Sequence, residues 1–274
     1  MVRDDLIFDI GMHRGEDTNY YLAKGFNVVA FEADPDHATD CRMRFADAVR
    51  SGRLTIVEGA IAPPTEDGRV TFYKNLGNTF QGTINREWAA YLRRHHKESV
   101  AIEVARVDIA EQFRTFGIPH YLKIDIESAD KLVLEALTSF ADRPPYLSFE
   151  SDLLAFSRLV EELDLLRALG YRKFRAVQQK YIRGTTTITT DRFGNQFEFT
   201  FEPGASGMFG EDIGDWQSYD ECRATYRKIF RTYRWFGRDR LINTLPGGRQ
   251  LKSILRRTPF VNPLPGWYDL HAAA

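Results

Sequence analysis

The 274-residue chain carries 37 lysines and arginines against 38 aspartates and glutamates, a net charge of −1, and 43% of its residues are apolar. That supply fills one α/β core plus an extension, and the charge balance gives no global pull toward nucleic acid or an anionic membrane. Two cysteines, Cys41 and Cys222, in unrelated contexts support neither a disulfide framework nor a zinc cluster, and no apolar run reaches the roughly 18 residues of a membrane span.

Asp5 to Gly15, DLIFDIGMHRG, reads as a strand running into a glycine-punctuated loop. Leu6, Ile7, Phe8 and Ile10 form a nearly continuous apolar run, which predicts a central parallel strand buried on both faces. Its start at about Asp5 leads us to expect no signal peptide and, with the cysteine usage, a cytoplasmic location. Asp9 interrupts the run at its carboxyl end. Gly11 and Gly15 bracket the turn, and Glu16, Asp17 and Thr18 open a helix with residue types that a first turn prefers. The spacing Asp-x-Gly-x-x-x-Gly is not the Gly-x-Gly-x-x-Gly that lays backbone amides against a dinucleotide pyrophosphate. A carboxylate at the loop's mouth opposes a pyrophosphate and tolerates a zwitterionic sulfonium such as S-adenosylmethionine.

Asn27 to Phe31 predicts the second strand, ending at Glu32, whose carboxylate can accept both hydroxyls of a ribose. One acid behind a glycine loop fits any strand-to-helix turn; two acids at consecutive strand ends point to a nucleoside. A helix from Pro35 to about Ala48 and a strand over Leu54 to Glu58 follow, which predicts a right-handed parallel sheet. Arg69 to Val107 reads as a hairpin-like insertion. Within it, His95 and His96 with Arg93, Arg94 and Lys97 look like a solvated basic face rather than a metal site.

Regular winding resumes at Tyr121 to Ile126, YLKIDI, where Lys123, Asp125 and Glu127 share one side by period two. In a central strand these charges have no solvent to face, so they are expected at the carboxyl end beside the first loop. A helix over Ala129 to Phe140, a strand over Tyr146 to Phe149 ending at Glu150, and a helix from about Asp152 to Leu169 continue the alternation. Tyr171 to Val177 and Gln196 to Phe201 are expected to be the last two strands, paired antiparallel at the sheet edge. Beyond Pro203, Tyr219 to Phe236 interleaves aromatics with Arg223, Arg227, Lys228, Arg231 and Arg234. This pattern fits an amphipathic helix docked on the core, or an RNA-binding arm. Trp267 to His271 reads as a surface-docked tail or a flap over the acceptor.

In order, FDIGMHRGEDTNYYLAKGF (8 to 26), VVAFEADP (28 to 35), VEGAI (57 to 61), YLKIDIESAD (121 to 130) and YLSFESD (146 to 152) resemble the class I S-adenosylmethionine-dependent methyltransferases, and within them the FkbM-type family. Ser128 replaces the glycine of that family's Lys-Ile-Asp-x-Glu-Gly pattern. The resemblance implies a Rossmann-like class I methyltransferase fold with a mostly parallel seven-stranded sheet and helices on both faces. On this reading residues 1–202 form the catalytic domain and 203–274 a basic, aromatic extension packed on the core. It further implies O-methylation of a hydroxyl on a sugar, glycolipid or natural product. We expect Asp9, Gly11, Gly15 and Glu32 to bind S-adenosylmethionine, Glu58 or Ala60 to lie near the adenine, and Asp125 to lie between cofactor and acceptor. For the proton-accepting base the order is Asp125 and Glu127, then His13 and Lys123, with no metal. Two other readings are an RNA-associated module or RNA methyltransferase using the basic arm, and an NAD-dependent oxidoreductase.

Overall fold

The computed structural model describes residues 1–77, 79–94, 98–126, 129–151, 153, 155–236 and 266–274. The chain passes through β1 (Val2–Ile10), α1 (Glu16–Ala23), β2 (Asn27–Glu32), α2 (Pro35–Arg44), α3 (Ala46–Arg50) and β3 (Leu54–Glu58). An insertion follows, made of β4 (Ala60–Ile61), β5 (Arg69–Asn75), α4 (Arg86–Arg94) and β6 (Ser99–Val107). Winding resumes with α5 (Ile109–Phe116), β7 (Ile118–Ile124), α6 (Asp130–Leu137), β8 (Tyr146–Glu150), α7 (Phe156–Ala168) and β9 (Lys173–Gln178). A ribbon of β10 (Thr186–Thr190) and β11 (Gln196–Thr200) precedes α8 (Tyr219–Phe236) and β12 (Tyr268–Ala273).

Seven strands form one sheet in the order β3-β2-β1-β7-β8-β12-β9, parallel throughout except for β12, which is antiparallel to both neighbours. The order reverses between β1 and β7, the switch point where open α/β sheets take ligands. The insertion builds its own three-stranded sheet, β4-β6-β5.

Alternation along the strands gives the main sheet two unlike faces. Phe8, Ile10, Phe31, Leu122, Ile124, Leu147, Phe149 and Leu270 join one large apolar cluster with Phe113 of α5, Val133 and Leu137 of α6, Leu159 and Leu163 of α7, and Tyr226 of α8. Ile7, Val28, Ala30 and Tyr121 occupy the opposite face, under Tyr20 and Tyr21 of α1, Cys41 of α2, and Phe201 and Phe209 from the segment after β11. Buried polar residues Asp9, Lys123, Ser148 and His271 lie on this second face, near the carboxyl ends of the parallel strands.

Several expected elements are corrected. Gln196 to Phe201 does not join the sheet edge; its strand pairs antiparallel with β10 in a separate ribbon. The seventh strand is β12, wedged between β8 and β9, so Tyr268 to His271 is neither tail nor flap but fully buried sheet. Asp269 and His271 disguised it, because polar residues at alternate positions read as a solvated segment. The helix from Pro35 breaks at Phe45 into α2 and α3, and β7 ends at Ile124, leaving Asp125 beyond the strand. His95, His96 and Lys97 lie outside the described residues. On α8, Cys222, Tyr226 and Ile229 are buried in the main core.

Candidate active site

The loop after β1 closes tightly on the sheet. Gly11 has φ +86°, and a Cβ there would lie 1.9 Å from the Asp125 carbonyl oxygen, so only glycine lets the two strand ends approach. Gly15 takes the same left-handed region, φ +81°, as it turns into α1, and His13 between them has φ +51°. Gly11 N and Met12 N donate to the Phe31 carbonyl at 3.1 and 2.9 Å, and Gly15 N donates to the Met12 carbonyl at 2.9 Å. His13 N donates to Glu32 Oε2 at 2.7 Å and Arg14 N to Glu16 Oε2 at 3.1 Å. Each amide from Gly11 to Gly15 therefore has a partner within the chain. A pyrophosphate, which depends on such amides, finds none to receive it.

Glu32 joins the loop to the end of β2. Its Oε1 accepts from Asp34 N at 2.7 Å while Oε2 holds His13 N. A carboxylate has about four acceptor positions, so two bonds leave room for a diol. The residue is 7% exposed, and burial pushes its carboxyl up to about 8 although the Asp34 and His13 amides pull the other way.

Lys123 is the electrostatic centre. Its Nζ lies 3.0 Å from Asp17 Oδ2, 3.5 Å from Asp9 Oδ1 and 3.6 Å from Asp125 Oδ2, and it donates to the Gly11 carbonyl at 3.4 Å. Burial works against the ammonium, but Asp17, Asp9 and Asp125 more than offset it and raise its pKa well above the ordinary value. Asp9 is fully buried; its Oδ2 accepts from Thr18 Oγ1 at 2.6 Å, and its Oδ1 has no hydrogen-bond partner among the described residues. Burial lifts Asp9 to about 6 despite Lys123. Asp17 accepts from Ser206 N and Oγ at 2.7 and 2.9 Å, which ties the segment after β11 to α1.

The residues expected from the sequence fall into three groups. Asp9, Gly11, His13, Gly15, Glu32, Lys123 and Asp125 come together at the switch point. Both ring nitrogens of His13 are engaged, Nδ1 at 3.1 Å from Glu16 Oε1 and Nε2 at 2.9 Å from Thr79 Oγ1, under the Phe80 ring. Ala60 is buried just past the end of β3, where Gly59 N donates to the Glu32 carbonyl at 2.8 Å. Glu58 is exposed and paired with Arg42 at 2.7 Å. Glu127 lies outside the described residues. Asp17, Thr18 and Ser206 were missed; the one signal for them is that a lysine inside an apolar strand requires buried counter-charges. Among the described residues no group of three His, Cys, Asp or Glu is placed to hold a metal, and no helix is long and apolar enough to cross a membrane.

Residues 9–173, from the acid of β1 to the start of β9, match the model of the FkbM methyltransferase domain. The chain belongs to the FkbM methyltransferase family. The match runs over the glycine loop, Glu32, Lys123 and Asp125, and stops before the β10–β11 ribbon, α8 and β12. Together with the strand order and the antiparallel β12, it makes this a Rossmann-like class I methyltransferase fold. Among solved structures, the chain is similar to a precorrin-6y C5,15-methyltransferase from Geobacter metallireducens GS-15, at 13% identity over 72% of this chain and 76% of that one, with TM-score 0.36. A SAM-dependent methyltransferase from Archaeoglobus fulgidus shares 11% identity over 99% and 86%, with TM-score 0.40. An O-methyltransferase from Bacillus cereus in complex with SAH shares 13% over 71% of each chain, with TM-score 0.33. No curated protein matches the chain.

Proposed function

We propose that this methyltransferase alkylates a hydroxyl oxygen on a sugar, glycolipid or natural-product acceptor, with S-adenosylmethionine as donor. The observation that carries the cofactor reading is Glu32, a buried carboxylate with acceptor positions to spare, beside a glycine loop whose amides are all engaged. Such a site suits a nucleoside with a free ribose diol and no phosphate.

S-adenosylmethionine, when bound, supplies a methyl group made electrophilic by its sulfonium. Glu32 would accept the ribose hydroxyls, and Gly11 and Gly15 would keep the loop low enough to admit the nucleoside. Ala60 would border the adenine in preference to Glu58, which is held by Arg42. Asp9 acts through Lys123, because its own carboxylate is closed off from any ligand. Asp125, 42% exposed in its side chain and 3.6 Å from Lys123, would stand between cofactor and acceptor. His13 is poorly placed as a base because both of its nitrogens are engaged, and Lys123 is held as an ammonium. Alignment of acceptor and methyl can contribute about 7–11 kcal/mol to lowering the barrier.

Burial of Cys222, Tyr226 and Ile229 fits the docked-helix reading of α8, and the NAD reading loses support because the loop's amides are all engaged. Incubation with methyl-tritiated S-adenosylmethionine and a panel of methyl glycosides, phenols and glycolipid headgroups tests the proposal. Label should appear in an acid-stable methyl ether. Label found only on nitrogen or carbon acceptors, or no calorimetric binding of S-adenosylhomocysteine, would replace it.

A further inference from the structure

All six residues of β12 are buried, yet two of them are Asp269 and His271. Tyr268, Leu270 and Ala272 join the large apolar cluster, so Asp269 and His271 face the other side of the sheet, which carries Lys123 and Ser148. The register fixes where they stand. His271 pairs with Ser148, and Ser148 with Lys123. One pleat nearer the carboxyl edge, Asp269 pairs with Glu150, while Asp125 follows the end of β7.

Along that edge the acids run in spatial order Glu32 on β2, Asp9 on β1, Asp125 after β7, Glu150 on β8 and Asp269 on β12. A nucleoside held at Glu32 and extended along this edge would bring its sulfonium toward β1 and β7 and would leave the edge of β8 and β12 for the acceptor. Asp269 is 7% exposed and feels Asp125, Lys123, Asp17 and Asp130 electrostatically. Glu150 on β8 and Lys173 and Arg175 on β9 are the other charged groups on the strands beside it, and His271 is a titratable group on its own strand. A carboxyl in a fully buried strand is costly, and such groups concentrate at working sites. Burial, reinforced by Asp125, raises the Asp269 carboxyl well above the usual range, which makes its anion a stronger base. Burial also lifts Asp125, but Lys123 opposes that and much of the side chain meets solvent.

We infer that Asp269 is the base that takes the proton of the acceptor hydroxyl, while Asp125, paired with Lys123, keeps its negative charge beside the sulfonium. This rests on the O-methylation reading above. The acceptor O–H bond breaks and its proton passes to a carboxylate oxygen of Asp269. The oxygen's electron pair forms the O–CH3 bond as the S–CH3 bond breaks, and the pair from that bond stays on sulfur as a neutral thioether. Asp269 returns the proton to water when the product leaves.

The test measures labelled methyl transfer, with S-adenosylmethionine saturating at every pH so that the titration of Glu32 does not enter, from about pH 5 to about pH 10 on the wild type, Asp269→Asn and Asp269→Glu, using an acceptor found in the panel. Calorimetric affinity for S-adenosylhomocysteine and melting temperature are recorded on each. Asp269→Asn should slow transfer by about 10²- to 10⁴-fold and abolish the rise of rate with pH, with affinity changed by less than about twofold. Asp269→Glu should keep that rise at reduced rate, and it supplies the answer if the asparagine variant does not fold. Transfer by Asp269→Asn at the wild-type rate, or with the same pH dependence, overturns the role of Asp269 alone. A wild type that binds S-adenosylhomocysteine but labels no hydroxyl overturns the O-methylation reading and this inference with it.

Discussion

Lys123 Nζ on β7 lies 3.0 Å from Asp17 in the first turn of α1, and Asp17 in turn holds the backbone and hydroxyl of Ser206. One cation therefore couples the central sheet, the helix after the glycine loop and the segment after β11. Removing it leaves Asp9 and Asp17 as buried charges with no counter-charge. Lys123→Met should cost about 3–5 kcal/mol in denaturant unfolding, and Lys123→Met with Asp17→Asn should cost less than the two changes summed. Additive losses would show that the pair does not interact as drawn.

Gly11 gives a steric prediction with an internal control. Alanine at Gly11 must adopt φ +86° and place its methyl 1.9 Å from the Asp125 carbonyl, whereas alanine at Gly52, φ +76°, meets open space. Gly52→Ala should cost about 1–2 kcal/mol from conformation alone. Gly11→Ala should cost more than about 3 kcal/mol, with melting falling by about 2–4 °C per kcal/mol. Equal losses at the two positions would remove the contact from the account.

On the proposed ribose role, the buried Glu32 links cofactor binding to pH. With its carboxyl at about 8 rather than 4.5, the free protein holds a proton there at neutrality, and that proton must leave before both ribose hydroxyls can be accepted. Affinity for S-adenosylhomocysteine should rise about tenfold per pH unit up to about pH 8 and then level off. Glu32→Gln should flatten the profile and weaken binding by about 10- to 100-fold. Without ligand the sign reverses. An acid whose folded value is raised contributes stability at low pH and loses it, by up to about 1.4 kcal/mol per unit, as pH climbs from about 4.5 to about 8.

His271 acts in the opposite sense. Burial lowers its pKa from 6.5 to about 3, and its Nε2 has no hydrogen-bond partner among the described residues. The unfolded chain binds a proton there below about 6.5, so stability falls as pH drops toward about 3. The difference in unfolding free energy between about pH 7 and about pH 5 should shrink by about 2 kcal/mol in His271→Gln. An unchanged difference would place the titration elsewhere.

The half of the fold that carries the glycine loop was legible because its signals are local. An unbroken apolar run, an acid at its end and glycines at set intervals identify β1, its loop and β2 without reference to the rest of the chain. β12 was not legible, since Asp269 and His271 look like solvent-facing residues until the strand is known to lie on the polar face. Gln196 to Thr200 alternates as a sheet strand should, but nothing in that stretch says that Thr186 to Thr190 is its partner. Asp17 read as an ordinary first-turn acid, and only the arrival of Lys123 from a distant strand gives it a second task.

Because β12 lies between β8 and β9, those two strands have no hydrogen-bonded contact until a segment much later in the chain arrives to separate and join them. A nascent polypeptide can assemble the half that carries the glycine loop and Glu32 on the ribosome, while the half proposed to face the acceptor stays an open edge awaiting its wedge. The donor pocket would thus mature before the receptor pocket, and damage to the late segment should spare nucleoside capture longer than turnover.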